Sequence, residues 1–92
     1  MRQFTRSNIH CSGGSSRPYW FECAMVSACS PVFNDCYDNY DVEHKLRKAG
    51  VLRDEDETDT ETCALVVLFQ TQEAGALFID RLNTYLGQHK RE

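Results

Sequence analysis

The alternation of apolar and polar residues predicts a β-hairpin in the first third of the chain. A weak strand over residues 3–11 carries Phe4 and Ile9 as its large apolar side chains. Serines and glycines at residues 12–16 indicate a turn, and a second strand follows over residues 17–29. The second strand has two apolar sets, with Tyr19, Phe21, Cys23 and Met25 on one face and Trp20, Ala24, Val26 and Ala28 on the other.

The apolar spacing becomes helical after this strand. Ser30 followed by Pro31 is a hydroxyl N-cap with proline at the first helical position, which predicts a helix start. The next apolar residues fall on two nearly opposite stripes, so we expect a short turn, a break near residues 38–39 and a helix over about 41–49. Gly50 is suited to end that helix, because glycine readily adopts a left-handed conformation.

The last third of the chain contains the clearest strand and the longest helix. Residues 62–70 are β-branched and apolar on both faces, which predicts a central position in the sheet. Thr71 caps a helix that runs to about residue 86 and ends at Gly87. Gly75 lies on the packed side of this helix although glycine costs about 1 kcal/mol relative to alanine there. We therefore expect a close approach between this helix and the sheet.

Together these elements predict a single α+β domain over residues 1–92, with the order ββαβα. The three strands form a mainly antiparallel sheet, and the helices pack on one face of it. A chain of 92 residues is near the lower end of what folds without disulfides or metals. Its composition, 41% hydrophobic and 26% charged, is typical of a globular protein.

The cysteines and the lack of long apolar runs indicate the compartment. The chain has five cysteines, an odd number, so at least one thiol stays unpaired in a monomer. No N-terminal apolar stretch suits a secretory signal, and the longest apolar run, residues 64–69, is far too short to span a membrane. We expect a cytoplasmic protein with reduced thiols and no membrane contact.

The net charge of −4 is concentrated in the middle of the chain. Residues 35–61 hold ten acidic and four basic residues, a net charge of −6, whereas residues 1–34 hold one acidic and three basic residues, a net charge of +2. The acidic segment, residues 54–61, contains Asp54, Glu55, Asp56, Glu57, Asp59 and Glu61. Crowded carboxylates imitate the phosphates of nucleic acid and would attract a Lys/Arg surface on a nucleic-acid-binding partner. The alternative is a solvated loop that keeps a small protein soluble.

The chain contains no complete catalytic, cofactor-binding or metal-binding motif. Cys23, Cys29 and Cys36, with His10 and Cys11 nearby, supply soft ligands, but structural zinc sites use closely spaced ligand pairs. The adjacent His10 and Cys11 point to opposite faces of a strand, so they cannot act together in nucleophilic catalysis. We expect no enzyme activity, no cofactor and no small-molecule substrate. A zinc-stabilised module is the alternative.

Aromatic and basic residues supply further candidate contacts. Tyr37 and Tyr40 are candidate anchors, because tyrosine is enriched at binding hot spots; rings that cover one end of the sheet are the alternative. Arg2, Arg6 and Arg17, brought together by the hairpin, would form a small basic patch able to contact RNA or an acidic protein. Separate solvated arginines are the alternative here.

In whole-chain character the protein resembles small phage-encoded anti-CRISPR proteins that block type I-F surveillance complexes. The features behind this resemblance are a lone α+β domain, a dense acidic segment, unpaired cysteines and no catalytic constellation. That group shares no diagnostic motif, so no functional residue is transferred by alignment. The resemblance implies an inhibitor in the host cytoplasm that binds the basic surface of a nucleoprotein complex, with guide RNA contact, and prevents target DNA from binding.

Two other classes fit the same residues. One is a small cytoplasmic regulator that binds nucleic acid directly, although the acidic segment opposes phosphate. The other is an interaction protein that binds a partner encoded by a neighbouring gene, or a second copy of itself.

Overall fold

The computed structural model describes residues 4–12 and 14–89. Its elements, in chain order, are a 3-10 turn (Arg6–Asn8), β1 (Ile9–Cys11), β2 (Tyr19–Cys23), α1 (Met25–Ala28), α2 (Asn39–Lys48), β3 (Glu57–Thr58), β4 (Leu65–Phe69) and α3 (Gln72–Gln88). Helices packed with an antiparallel sheet confirm the predicted α+β class.

The sheet has four antiparallel strands in the order β1-β2-β4-β3, instead of the predicted three. The additional strand, β3, lies inside the acidic segment, where Glu57 pairs with Leu68 and Thr58 pairs with Val67. This pairing gives partners to backbone groups on the outer side of β4, a requirement that the local pattern of acidic residues does not reveal. The strand predicted to be central, β4, does lie between two others.

One face of the sheet carries the core. Phe21 and Val67 are direct cross-strand partners, and both are buried under the helices. The ring of Phe78 on α3 lies 5.3 Å from that of Phe21 and 5.6 Å from that of Phe69, measured between centroids. The core is completed from α2 and α3 by Val42, Leu46, Ile79, Leu82 and Leu86. The helices thus pack on one face, as predicted, and bury the apolar area that stabilises the fold.

The first strand is shorter than the predicted 3–11. Arg6–Asn8 form a 3-10 turn, because the Thr5 hydroxyl accepts a hydrogen bond from the Ser7 amide at 3.3 Å and Asn8 Oδ1 accepts one from the Thr5 amide at 2.8 Å. These local side-chain bonds compete with strand pairing.

The second strand also ends early, at Cys23, and α1 follows it. Met25 and Cys29 are both buried and lie four residues apart, a spacing that suits a helix rather than a strand. The buried Asn39 supplies the amide oxygen that accepts a hydrogen bond from the Met25 backbone N–H at 2.9 Å. This contact satisfies a donor at the helix start, and it comes from a residue far along the chain.

The predicted short turn after Pro31 and the predicted break near residues 38–39 are both confirmed, and no helix starts at Ser30-Pro31. Residues 29–35 form turns. Asp38 is the N-cap of α2, since its Oδ1 accepts hydrogen bonds from the amides of Tyr40 at 3.1 Å and Asp41 at 3.3 Å. A side chain that satisfies two first-turn donors starts a helix more strongly than Ser30-Pro31 does.

The predicted roles of Gly50 and Gly75 are confirmed, and the predicted role of Gly87 is wrong. Gly50 ends α2 with a φ of 81°, as expected for a left-handed C-terminal residue. Gly75 faces β1, where an added Cβ would lie 3.1 Å from the Ile9 side chain, so the close approach is confirmed. Gly87, however, does not end α3, which continues to Gln88.

Candidate interaction surface

The acidic segment is held in place by two arginines from neighbouring helices. Arg47 of α2 donates from Nη1 to the Arg53 carbonyl at 2.9 Å and from Nη2 to the Asp56 carbonyl at 3.3 Å. Arg81 of α3 donates from Nε to the Val51 carbonyl at 2.9 Å. Guanidinium groups suit this role because they present several donors in a rigid plane.

Glu43 of α2 holds Arg47 in position. Its Oε2 pairs with Arg47 Nε at 3.1 Å and accepts a hydrogen bond from the Thr58 hydroxyl at 2.8 Å. Burial by itself raises the Glu43 pKa, but hydrogen bonds from the Thr58 hydroxyl and from Arg47 outweigh it, and the pKa is lowered from its ordinary value of 4.5. The charged carboxylate therefore ties α2 to β3.

Two of the six carboxylates are paired with arginines of this protein, although Glu57 remains 58% exposed, whereas the prediction has all six facing a partner. Asp56 Oδ2 accepts from the Arg53 amide at 2.8 Å and pairs with Arg81 Nη2 at 3.2 Å, and its side chain is only 14% exposed. Glu57 Oε1 pairs with Arg17 Nε at 2.6 Å. We call Asp56 and Glu57 the anchoring carboxylates, because they fix the segment to the rest of the protein.

The other four, which we call the displayed carboxylates, are exposed: Asp54, Glu55, Asp59 and Glu61. Within the described residues, none of them forms an ion pair. The Asp59 amide donates to the Val66 carbonyl at 3.0 Å, and the Glu61 amide donates to the Ala64 carbonyl at 2.9 Å. Asp59 and Glu61 are therefore held beside β4 by hydrogen bonds of their own backbone amides.

The candidate tyrosines lie close to one end of the acidic segment. Tyr37 is 90% exposed and Tyr40 is 51% exposed. A groove of about 420 Å³ beside Tyr37 is also lined by Thr62 and Cys63, which directly follow the segment. Asn39 Nδ2 donates to the Thr62 carbonyl at 3.0 Å and joins α2 to this end. Phe33, by contrast, is buried in the core.

The two described arginines of the predicted basic patch are each paired with a carboxylate. Arg6 pairs with Glu73 of α3 at 3.1 Å, whereas Arg17 pairs with Glu57 of β3. Each guanidinium is thus committed to a carboxylate on a different element. Arg2 lies outside the described residues.

Sequence reasoning missed a second surface, which we call the open face: Trp20, Val66 and Leu68 on the side of the sheet opposite the helices. All three side chains are half-buried, and none packs against the core cluster. The His10 ring lies 5.3 Å from the Trp20 ring. Both α2 and α3 pack on one face of the sheet, as predicted, so the apolar residues on the other side of β2 and β4 are not covered by a helix of the described chain.

The candidate zinc ligands are not brought together. Among residues 4–12 and 14–89, no group of three or more His, Cys, Asp or Glu side chains is placed to hold a metal ion. Cys29 is buried in the core, and Cys11 is exposed on β1. Burial, followed by the Asp35 carboxylate, raises the pKa of the Cys36 thiol above its ordinary value of 9.0.

No helix in the described part of the chain is both long and apolar enough to cross a membrane. Comparisons with protein-family models, with curated proteins and with solved structures gave no match. Function is therefore argued from the surface itself.

Proposed function

We propose that the protein is a small binding module whose displayed carboxylates dock on a cationic surface of a protein that handles nucleic acid. The observation that carries the proposal is the division of the acidic segment into two anchoring and four displayed carboxylates. Like charges this close repel one another and destabilise the compact state. A segment kept only for solubility has no need of an anchored backbone, so the anchoring favours recognition.

The anchoring also favours affinity. Because Arg47 and Arg81 hold the backbone near the segment, the displayed carboxylates lose little conformational freedom when a partner binds. Their field would also steer encounter with lysines and arginines. Bound to such a surface, the module would occupy the positions that nucleic acid phosphates otherwise contact, and would exclude the nucleic acid by charge and by volume.

The direct test uses a fluorescein-labelled decalysine peptide and fluorescence anisotropy at low salt. The test variant combines Asp54→Asn, Glu55→Gln, Asp59→Asn and Glu61→Gln. It removes the local field, so we expect binding to weaken by about tenfold or more.

The matched control combines Gln72→Lys, Leu77→Lys, Thr84→Lys and Gln88→Lys at exposed positions of α3. It changes the net charge by the same amount and leaves the acidic segment intact. We expect the control to keep most of the wild-type affinity. Equal weakening in both variants would show that net charge alone is responsible, which contradicts the proposal.

Inhibition of a type I-F surveillance complex is the specific form of this proposal. Labelled target DNA is bound to the guide-RNA-loaded complex in the presence of increasing protein. We expect the wild type to prevent DNA binding and the fourfold-neutralised variant to do so only at higher concentration. DNA binding unaffected by the wild type would reject this specific form, while the decalysine test would still decide the general one.

A further inference from the structure

The open face has the composition of a binding hot spot. Trp20 and Leu68 are direct cross-strand partners, and Val66 lies two residues from Leu68 on the same face of β4. Their neighbours in sequence, Phe21 and Val67, point to the other face and are buried. A half-buried tryptophan beside aliphatic side chains is a frequent anchor in protein interfaces. This face therefore suits an occupant that offers apolar contact and a group able to pack on the indole ring beside His10.

Carboxylates border the open face on two sides. Glu57 on β3 is the cross-strand partner of Leu68, and Glu22 on β2 is the partner of Val66. Asp59 lies beside Val66, since its amide donates to the Val66 carbonyl at 3.0 Å. A negative border of this kind repels phosphate and attracts cationic side chains.

Arg17 already shows how a guanidinium binds at this border. Its Nε lies 2.6 Å from Glu57 Oε1, and its Nη1 donates to the Leu68 carbonyl at 3.3 Å. One side chain thus satisfies a carboxylate and a strand carbonyl together. Glu22, on the opposite side of the patch, is exposed, and within the described residues it forms no ion pair.

We infer that the open face docks an arginine-bearing extended segment of the protein partner, with Trp20 as the anchor and Glu22 as the counter-charge. This inference rests on the proposed function and names the chemistry of the partner. A guanidinium over an indole face gains cation–π attraction. Alternate side chains of an extended segment repeat at about 7 Å, the spacing of Trp20 and Glu22 along β2. A second copy of this chain would instead bring two negative borders together.

The chain contains a single tryptophan, so tryptophan emission reports specifically on the open face. The probe is a peptide of five Arg–Val pairs, used with and without a fluorescein label. We expect it to change Trp20 emission saturably. Leu68→Lys should weaken this binding by about tenfold, because it places a like charge beside the anchor. Leu77→Lys adds the same charge at an exposed site on α3 and should stay within about twofold of wild type.

The outcomes separate this inference from the function on which it rests. Peptide binding by anisotropy with unchanged Trp20 emission, and equal affinity for both lysine variants, would overturn the docking site and leave the proposed function standing. Absence of any binding to the Arg–Val peptide or to decalysine would overturn both. A Trp20 response to decauridylate but not to the peptide, or one caused by raising the protein concentration alone, would assign a different occupant and overturn the inference.

Discussion

Asp54 and Asp56 lie two residues apart in one acidic segment, yet their environments are opposite. Asp56 is 14% exposed and bonded to Arg81 and to the Arg53 amide. Asp54 is exposed, and within the described residues it forms no ion pair. The difference shows that the number of acids in a segment is not the number available to a partner. Some carboxylates fix the backbone so that others are displayed.

The largest expected effect comes from removing the arginine that holds the segment. Arg47→Met keeps much of the side-chain volume but removes donors to Arg53, Asp56 and Glu43. We expect the free energy of unfolding to fall by about 2–3 kcal/mol, because Glu43 loses its cation and two carbonyls lose their donor. Urea denaturation at neutral pH measures this. The exposed neighbour Lys48, replaced by Met, serves as control and should change stability by less than about 0.5 kcal/mol. Similar losses in the free energy of unfolding for the two variants would contradict the claim that Arg47 anchors the acidic segment.

A direct comparison within the acidic segment follows. Asp56→Asn weakens the bond to Arg81 and should lower the free energy of unfolding by about 1–2 kcal/mol, since hydrogen bonds to charged groups contribute that much. Asp54→Asn should change it by less than about 0.5 kcal/mol. Thermal and urea unfolding of both single variants measure the contrast. If Asp54→Asn were as destabilising as Asp56→Asn, the two carboxylates would not differ in role.

The pH dependence of stability sharpens the same point through Glu43. Its pKa is lowered in the folded protein, so its stabilising contribution is present above the ordinary value of 4.5 and is lost as the pH falls through the lowered pKa. At neutral pH, Glu43→Gln should reduce the free energy of unfolding by about 1 kcal/mol. Near pH 3 the difference from wild type should shrink. A constant difference across this range, measured by urea denaturation, would mean that the charge of Glu43 is not what holds the segment.

The smallest effect on stability is expected for the four displayed carboxylates. Their combined neutralisation should change the free energy of unfolding by less than about 0.5 kcal/mol, because within the described residues no ion pair is lost and some repulsion is relieved. Circular dichroism during urea titration measures this directly. A loss of several kcal/mol would show that these carboxylates are structural.

Local patterns predicted the elements whose causes are local. The break near residues 38–39 follows from the Asp38 cap. The C-terminal end of α2 follows from Gly50, and the central place of β4 follows from its apolar run. The elements that were missed depend on distant contacts. β3 forms by pairing with the outer edge of β4, and α1 begins where Asn39 accepts a hydrogen bond from the Met25 N–H. Neither partner is visible within a short window of sequence.

The candidate surface was predictable only in part. Composition located the acidic segment and the exposed Tyr37 and Tyr40. It did not distinguish Asp56 from Asp54, because the distinction depends on Arg81, which lies far along the chain. Packing of the helices on one face was predicted, but the residues of the open face were not named, because which apolar side chains share that face depends on how β2 pairs with β4. The prediction of helices on one face was itself the signal that the other face stays open.

The most direct test of the central claim is the salt dependence of decalysine binding, measured by anisotropy for the wild type and for the variant lacking the four displayed charges. Affinity of the wild type should fall steeply as salt rises, and the slope for the variant should be much flatter, since screening acts on charges exposed to solvent. Parallel slopes for the two proteins would show that the displayed carboxylates do not carry the attraction, and would contradict the account.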